Sequence, residues 1–283
     1  DLMLFKYTEE CVYSKAWNEY NRLCRGIIFK DDGTIIARPF PKFFNLGEMP
    51  ESTPENFPTN LNYRIEEKYD GSCCIGYLHQ NKWRLATPGS FISEQAEYAT
   101  KMLYDKYKGW QFFFNDNHTF IFEVIYPSNK IVINYGEEEF LCLLSIIRKD
   151  GQELHPDKVD QIAKILKFKR PRLYTFSLEQ EIPFEENSEG YVVRFANDLR
   201  IKIKSPIYVK IHKLLNYLTP KGVINLIKGN EYHETLKALS QDLRESFDDI
   251  RAKLQLKYNK ILPITKNTIT TTPKPASQPN PCL

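Results

Sequence analysis

An α+β fold built on antiparallel sheets, followed by a small helical appendage, is predicted by three features of this 283-residue sequence. Short apolar runs rich in β-branched and aromatic residues fill the first half, few helical patterns interrupt them, and the pattern after Pro206 is mainly helical. In order, Gly26-Ile27-Ile28-Phe29 and Thr34-Ile35-Ile36-Ala37 read as strands joined at Asp31-Asp32-Gly33, a hairpin signal. Asn62-Tyr63-Arg64-Ile65, Cys73-Cys74-Ile75-Gly76-Tyr77, Thr119-Phe120-Ile121-Phe122-Glu123-Val124 and Phe140-Leu141-Cys142-Leu143-Leu144 continue the series. The spacing predicts a helix from Ser93 to Lys106, with Ala96, Ala99 and Leu103 on one face. A second runs from Pro156 to Leu166, with Val159, Ile162, Ala163 and Leu166 aligned. Helical patterns follow at Tyr208–Leu218, Lys221–Ile227 and Tyr232–Tyr258. The expected division is a body over residues 1–205, a helical appendage over 206–262, and a Pro- and Thr-rich stretch over 263–283. That last stretch lacks acids and periodicity and reads as a disordered tail or linker.

Composition excludes several classes. With 42% hydrophobic and 27% charged residues, the chain is neither collagenous nor disordered. No run approaches roughly 18 consecutive apolar residues, so no transmembrane helix is expected. The start, Asp1-Leu2-Met3-Leu4-Phe5-Lys6, lacks the features of a secretion signal, which points to an intracellular protein of cytoplasm or nucleus. It also lacks an initiator Met, as a fragment or processed form would. The six cysteines show no Cys-x-x-Cys spacing, so neither zinc nor a disulfide framework is expected. A net charge of +3 is too small to define a nucleic-acid binder, but its distribution is uneven. Leu199 to Gly222 contains Arg200, Lys202, Lys204, Lys210, Lys213 and Lys221 without one acid. The cluster Trp110-Gln111-Phe112-Phe113-Phe114 reads as core packing rather than as a base-stacking platform.

The chemistry concentrates in Glu66-Glu67-Lys68-Tyr69-Asp70-Gly71-Ser72, where a strand gives way to a glycine turn and another strand. A lysine held at such a turn, facing a pocket, becomes a nucleophile when cations or a metal lower its pKa, because only the neutral amine attacks. By itself, Lys-x-Asp-Gly more often describes a surface lysine beside an ordinary turn. Three further elements occur in the order that a lysine-nucleotidyl mechanism needs. Phe122-Glu123 lies on an apolar strand, Ser188-Glu189-Gly190-Tyr191 carries an acid at the start of another, and Ile201-Lys202-Ile203-Lys204 sets two lysines on one face. Paired lysines stabilise an α-phosphate as its charge develops, while carboxylates can take a metal or ribose hydroxyls.

The ordered set resembles the covalent nucleotidyltransferase superfamily of ligases and capping enzymes. The flanks Leu23-Cys24-Arg25-Gly26-Ile27-Ile28-Phe29, Arg38-Pro39-Phe40-Pro41-Lys42-Phe43-Phe44-Asn45-Leu46 and Gly89-Ser90-Phe91 are similar to its phage-type RNA ligase 1 branch. So are Tyr126-Pro127-Ser128-Asn129-Lys130-Ile131-Val132-Ile133-Asn134-Tyr135 and Lys204-Ser205-Pro206-Ile207-Tyr208. The likeness runs from about Arg25 to His212 and implies an ATP-grasp-like nucleotidyltransferase (ligase) domain. It further implies that Lys68 attacks the α-phosphate of ATP, that AMP passes to a 5′-phosphate RNA end, and that a 3′-hydroxyl displaces it. Under this resemblance Lys68, Lys202, Lys204 and Glu189 are catalytic, and Glu189 serves the metal, Mg2+ or Mn2+. Arg25, Lys42, Phe44, Glu67, Asp70, Gly71, Glu123, Lys202 and Lys204 hold the nucleotide, with Glu123 on the ribose. The implied partners are RNA ends and a kinase or phosphatase end-healing domain, and a viral origin is compatible.

One departure stands out, in Ala86-Thr87-Pro88-Gly89-Ser90. Phage relatives place a lysine where this chain has Pro88, which has neither charge nor backbone N–H, and Arg84 is the nearest substitute in sequence. Two other readings remain open at this point: a DNA ligase or GTP-dependent capping enzyme of the same superfamily, and an RNA-binding module without catalysis.

Overall fold

The structure, a computed structural model, describes residues 1–270 apart from Thr59, Ala238 and Ser240. In chain order the strands are β1 (Leu2–Lys6), β2 (Arg25–Lys30), β3 (Ile35–Ala37), β4 (Phe44–Asn45), β5 (Tyr63–Glu67) and β6 (Ser72–His79). They continue with β7 (Lys82–Ala86), β8 (His118–Ile125), β9 (Phe140–Arg148), β10 (Leu173–Tyr174), β11 (Gly190–Phe195) and β12 (Arg200–Lys204). The helices are α1 (Glu9–Tyr13), α2 (Glu19–Leu23), α3 (Glu94–Lys106), α4 (Pro156–Leu166), α5 (Pro206–Leu215), α6 (Pro220–Lys228), α7 (Tyr232–Lys237) and α8 (Gln241–Thr270). No helix among the described residues is long and apolar enough to cross a membrane.

Three sheets form. β1-β2-β3 and β7-β6-β8-β9 are antiparallel throughout, and β10-β5-β11-β12-β4 is antiparallel except for its parallel β12–β4 edge. The four-stranded sheet buries one face under α3 and α4. Phe120, Phe122 and Val124 of β8 point there and meet Ala99 and Leu103 of α3 and Val159 and Ala163 of α4. Period-two alternation then turns Ile121 and Glu123 to the opposite face. In the five-stranded sheet Ile65, Tyr191, Val193, Ile201 and Ile203 share one buried face. The same alternation sends Lys202 and Lys204 to the other. The five-stranded sheet thus gives one face to its own core and carries Lys202 and Lys204 on the reverse, whereas the reverse of the four-stranded sheet holds Glu123 beside the buried Ile121.

The sequence-predicted strands and the first two long helices all form. Asp32 accepts from the Thr34 amide at 2.8 Å, and Gly33 takes φ +85° to close the first hairpin. Ser93 caps α3 by accepting from the Ala96 amide at 3.3 Å. Trp110 and Phe114 enter the core as expected, whereas Phe112 is 91% exposed. The expected helix Tyr232–Tyr258 is instead two, α7 and α8. Leu239 turns into the local core between them, and Arg244 binds the carbonyls of Lys237 and Leu239 that the first helix leaves open. α8 continues through Thr270, past Pro263 and into the stretch expected as a tail. Residues 271–283 lie outside the described residues.

The chain divides into two compact units, Asp1–Val209 and the residues from Lys210 onward. The boundary falls after residue 205 because Tyr208 belongs to the first unit, 4% exposed with its hydroxyl bound to Asp70. The second unit packs Val223, Leu226, Tyr232, Leu239 and Phe247 against Ile211, Leu214, Leu243 and Ile250.

One close approach governs the first unit. Gly190 has φ +131°, and a Cβ there would lie 2.0 Å from the Ile203 carbonyl oxygen. Gly190→Ala should therefore cost more than about 3 kcal/mol, combining a left-handed backbone with a backbone clash. Denaturant unfolding measures it, and a loss below about 1 kcal/mol would show that β11 and β12 can separate there without cost.

Candidate active site

The turn that carries Lys68 is where the chain leaves the five-stranded sheet at Glu67 and enters the four-stranded sheet at Ser72. Backbone and side-chain bonds fix it from both sides. The Lys68 amide donates to the Gly190 carbonyl at 2.9 Å, and the Gly71 amide donates to Glu123 Oε1 at 3.2 Å. Gly71 lets this turn touch β8, since a Cβ there would lie 2.5 Å from the Val124 carbonyl oxygen. Asp70 is 4% exposed. Its Oδ2 accepts from the amides of Val132 and Ile133 at 2.8 and 2.9 Å, and its Oδ1 accepts from the Tyr208 hydroxyl at 2.7 Å. A carboxylate satisfied by three donors is a structural clamp, here one that ties the turn to two distant segments.

Lys68 and Lys204 converge on Glu189. Lys68 Nζ lies 2.7 Å from Oε2 and Lys204 Nζ lies 2.9 Å from Oε1, and the carboxylate is 2% exposed. Its backbone is held as well, because the Ser205 amide donates to the Glu189 carbonyl at 2.9 Å. Burial alone would pull the Lys68 amine down, but Glu189, Glu123 and Asp70 outweigh it and hold the ammonium above its usual range. Glu123 behaves oppositely. Burial, helped by Glu189 and opposed by Lys68 and Arg25, raises its carboxyl to about 7.

A second group of cations has no acid. Lys202 Nζ lies 4.6 Å from the centre of the Phe43 ring, and the Arg25 guanidinium lies 5.7 Å from the same ring. Lys42 Nζ stands 5.1 Å from the Phe44 ring. None of the three forms an ion pair among the described residues. Arg25 Nη1 is buried with no hydrogen-bond partner among them. Burial and then Arg25, Lys42, Lys68 and Lys204 push the Lys202 ammonium well below its usual range. Partly buried cations that repel one another and lack an ion-pair partner suit a multiply charged anion.

The structure brings most of the sequence-predicted residues to this place. Glu67 is the exception: it turns to the other face of β5, 3.7 Å from Arg172, with its carboxyl raised by burial. Sequence reasoning passed over Phe43, although it lies in the same motif as Phe44 and supports two of the cations. The Pro88 question also changes. Pro88 packs on Gly26, whose Cβ would lie 2.7 Å from its Cα. Arg84 is exposed on β7 opposite Tyr77. Lys6 of β1 instead runs along Gly89, where a Cβ would lie 3.6 Å from its Nζ. Lys6 also pairs with Arg25 across the β1–β2 ladder, which places a cation from the first strand beside this turn.

Two largely antiparallel sheets joined at the turn that carries the lysine, with a buried acid shared by two lysines, make up the ligase-type nucleotidyltransferase fold. A solved candidate ATP-dependent DNA ligase of Aquifex aeolicus shares that fold with a TM-score of 0.52 at 17% identity, covering 93% of this chain and 74% of the other. The RNA ligase family profile matches residues 23–208, and the chain belongs to that family, in its phage-type RNA ligase 1 group. It is 32% identical over 209 residues to a candidate RNA ligase of Thermovibrio ammonificans, covering 70% of this chain and 54% of the relative. It is 24% identical over 340 residues to an RNA ligase of Rhodothermus phage RM378, covering 92% and 76%. The chain thus spans about half the length of the first of these relatives.

Glu123 gives a testable sign. Its carboxyl titrates near 7 when folded and near 4.5 when unfolded. The stability conferred by the neutral form is complete below 4.5 and is lost as pH rises through 7. Glu123→Gln should therefore stabilise the free protein at pH 8, by at least about 1 kcal/mol or about 2–4 °C, and hardly at all at pH 4. Thermal unfolding at both pH values checks this, and an equal shift at both would mean that the carboxyl is not held neutral by its surroundings.

Proposed function

We propose that this chain is an ATP-dependent RNA ligase acting through a lysine-AMP intermediate on Lys68. The observation that carries the reading is the Glu189 carboxylate shared by Lys68 and Lys204, set beside Arg25, Lys42 and Lys202, which have no acid partner. Membership of the RNA ligase family supports the choice of RNA. The fold of a DNA ligase, shared at low identity, does not bear on that choice.

The chemistry follows from the positions. Lys68 must lose its ammonium proton first, and Glu189 at 2.7 Å is the nearest acceptor. Its nitrogen then bonds to the α-phosphorus of ATP while the bond to the β-phosphate oxygen breaks, pyrophosphate leaves with the electron pair, and the nitrogen gives a second proton to the departing pyrophosphate or to water. Lys202 and Lys204 meet the α-phosphate, Arg25 and Lys42 meet the outer phosphates, and Glu123 takes a ribose hydroxyl. An oxygen of an RNA 5′-phosphate next attacks the AMP phosphorus, the P–N bond breaks, and the amine regains a proton. Finally a 3′-hydroxyl attacks the RNA phosphorus, loses its proton and expels AMP.

A divalent cation fits this site in part. Among the described residues no cluster of three or more His, Cys, Asp or Glu could enclose a metal. Glu189 would be the residue that holds magnesium or manganese, since a single carboxylate suffices for an ion bound together with a phosphorylated substrate. When bound, such an ion neutralises phosphate charge. The reaction needs 5′-phosphate and 3′-hydroxyl ends, which a kinase and phosphatase, in a further domain or a partner, would supply. Dependence on ATP places the work inside a cell.

Incubation with α-labelled ATP or GTP, followed by a denaturing gel, tests the reading. Label should come from ATP alone and vanish in both Lys68→Ala and Lys68→Arg, because arginine keeps its proton at any usable pH. Lys202→Ala should slow single-turnover labelling by about 10- to 100-fold. Label from GTP would identify a capping enzyme, and no label a binding module.

A further inference from the structure

The segment before the family match supplies two aromatic rings to the site. Lys42 Nζ stands 5.8 Å from the Tyr7 ring centre, 5.2 Å from that of Trp17 and 5.1 Å from that of Phe44. The rings support each other edge to face, Tyr7 to Trp17 at 5.0 Å and Trp17 to Phe44 at 5.4 Å. The backbone locks the segment in place: the Lys42 amide donates to the Arg22 carbonyl and the Tyr7 amide to the Cys24 carbonyl, both at 2.7 Å. The Arg22 guanidinium also lies 4.9 Å from the Phe44 ring centre and pairs with Glu51 at 2.7 Å.

Lys42 has a difficulty that these rings resolve. It is partly buried, and Arg25 repels it. Glu48 attracts it without coming within ion-pair range. Three ring faces take the place of a carboxylate, offering negative quadrupole density without neutralising the charge. A carboxylate there would cancel the charge that a phosphate needs, whereas an aromatic cage leaves it available.

We propose that Tyr7 and Trp17 are positioning residues for nucleotide binding, which hold Lys42 charged and aimed at the phosphates of the nucleoside triphosphate. This rests on the ligase reading above and deepens it. The first 22 residues then form part of the nucleotide site. Neither ring belongs to a buried apolar cluster, so replacing one does not hollow a core.

The test compares Trp17→Ala, Trp17→Leu, Trp17→Phe, Lys42→Met and the double variant Trp17→Ala/Lys42→Met. It follows single-turnover labelling of Lys68 across a range of ATP concentrations. Trp17→Ala and Trp17→Leu should each raise the half-saturating ATP concentration about tenfold, with the limiting rate within about twofold of wild type. Trp17→Phe keeps a ring face and should restore most of the affinity. Because Leu keeps bulk without a π face, it separates the cage from simple packing. In the Lys42→Met background, removing Trp17 should change affinity by less than about twofold. An unchanged ATP dependence in Trp17→Ala and Trp17→Leu, or an undiminished effect in the Lys42→Met background, overturns the inference and leaves the ligase reading intact. A wild-type chain that takes no label from ATP overturns both.

Discussion

The carboxylate of Glu189 between Lys68 and Lys204 is the interaction on which the rest of the site depends. It needs three segments in register: the end of β5, the start of β11 and the end of β12. Gly190 permits the contact, since only a residue without Cβ lets the chain pass the Ile203 carbonyl so closely. The Lys68 amide bonds to that same glycine, so the backbone that carries the acid also holds the turn that carries the base. Asp70 secures the turn from behind through Val132, Ile133 and Tyr208. The turn that carries Lys68 is therefore held from both sides by buried hydrogen bonds.

Charge is distributed unevenly around that framework, and the unevenness carries the chemistry. Lys68 and Lys204 have an acid, whereas Arg25, Lys42 and Lys202 have aromatic rings. A partly buried cation without an ion-pair partner costs stability in the free protein, and an anion that pairs with it offsets that cost. On the proposed reading, the acid keeps Lys68 an ammonium until the nucleotide is in place, and the cations without an acid partner are the ones that meet the triphosphate. Glu123 adds a carboxyl poised near neutrality, because burial outweighs the cations beside it.

Much of this was legible in the sequence, for physical reasons that differ from element to element. The strands around Phe122 and Ile203 announce themselves because alternation writes the buried face directly into the chain, and the same alternation places Glu123 and Lys202 opposite it. Helices α3 and α4 were equally plain from their apolar spacing. The break between α7 and α8 was not, because it depends on Leu239 turning into a core formed by distant residues. Glu67 and Lys68 are neighbours in sequence yet face different surroundings, since β5 ends between them. The cage of Tyr7 and Trp17 around Lys42 leaves no local signature at all, because its members come from three separate segments. Lys6 beside Gly89 escaped notice for the same reason: pairing of β1 with β2 brings it there, and sequence distance points to Arg84.

The central claim is that Glu189 holds Lys68 as an ammonium in the free protein. Nuclear magnetic resonance of the lysine side chains, titrated in chelator without nucleotide, reads this directly. Lys68 should remain charged beyond the usual lysine range, 10.5, and Glu189→Gln should lower its titration point as burial takes over. A Lys68 amine that titrates below 10.5 in the wild-type chain, or one that ignores the loss of the Glu189 charge, would contradict the account.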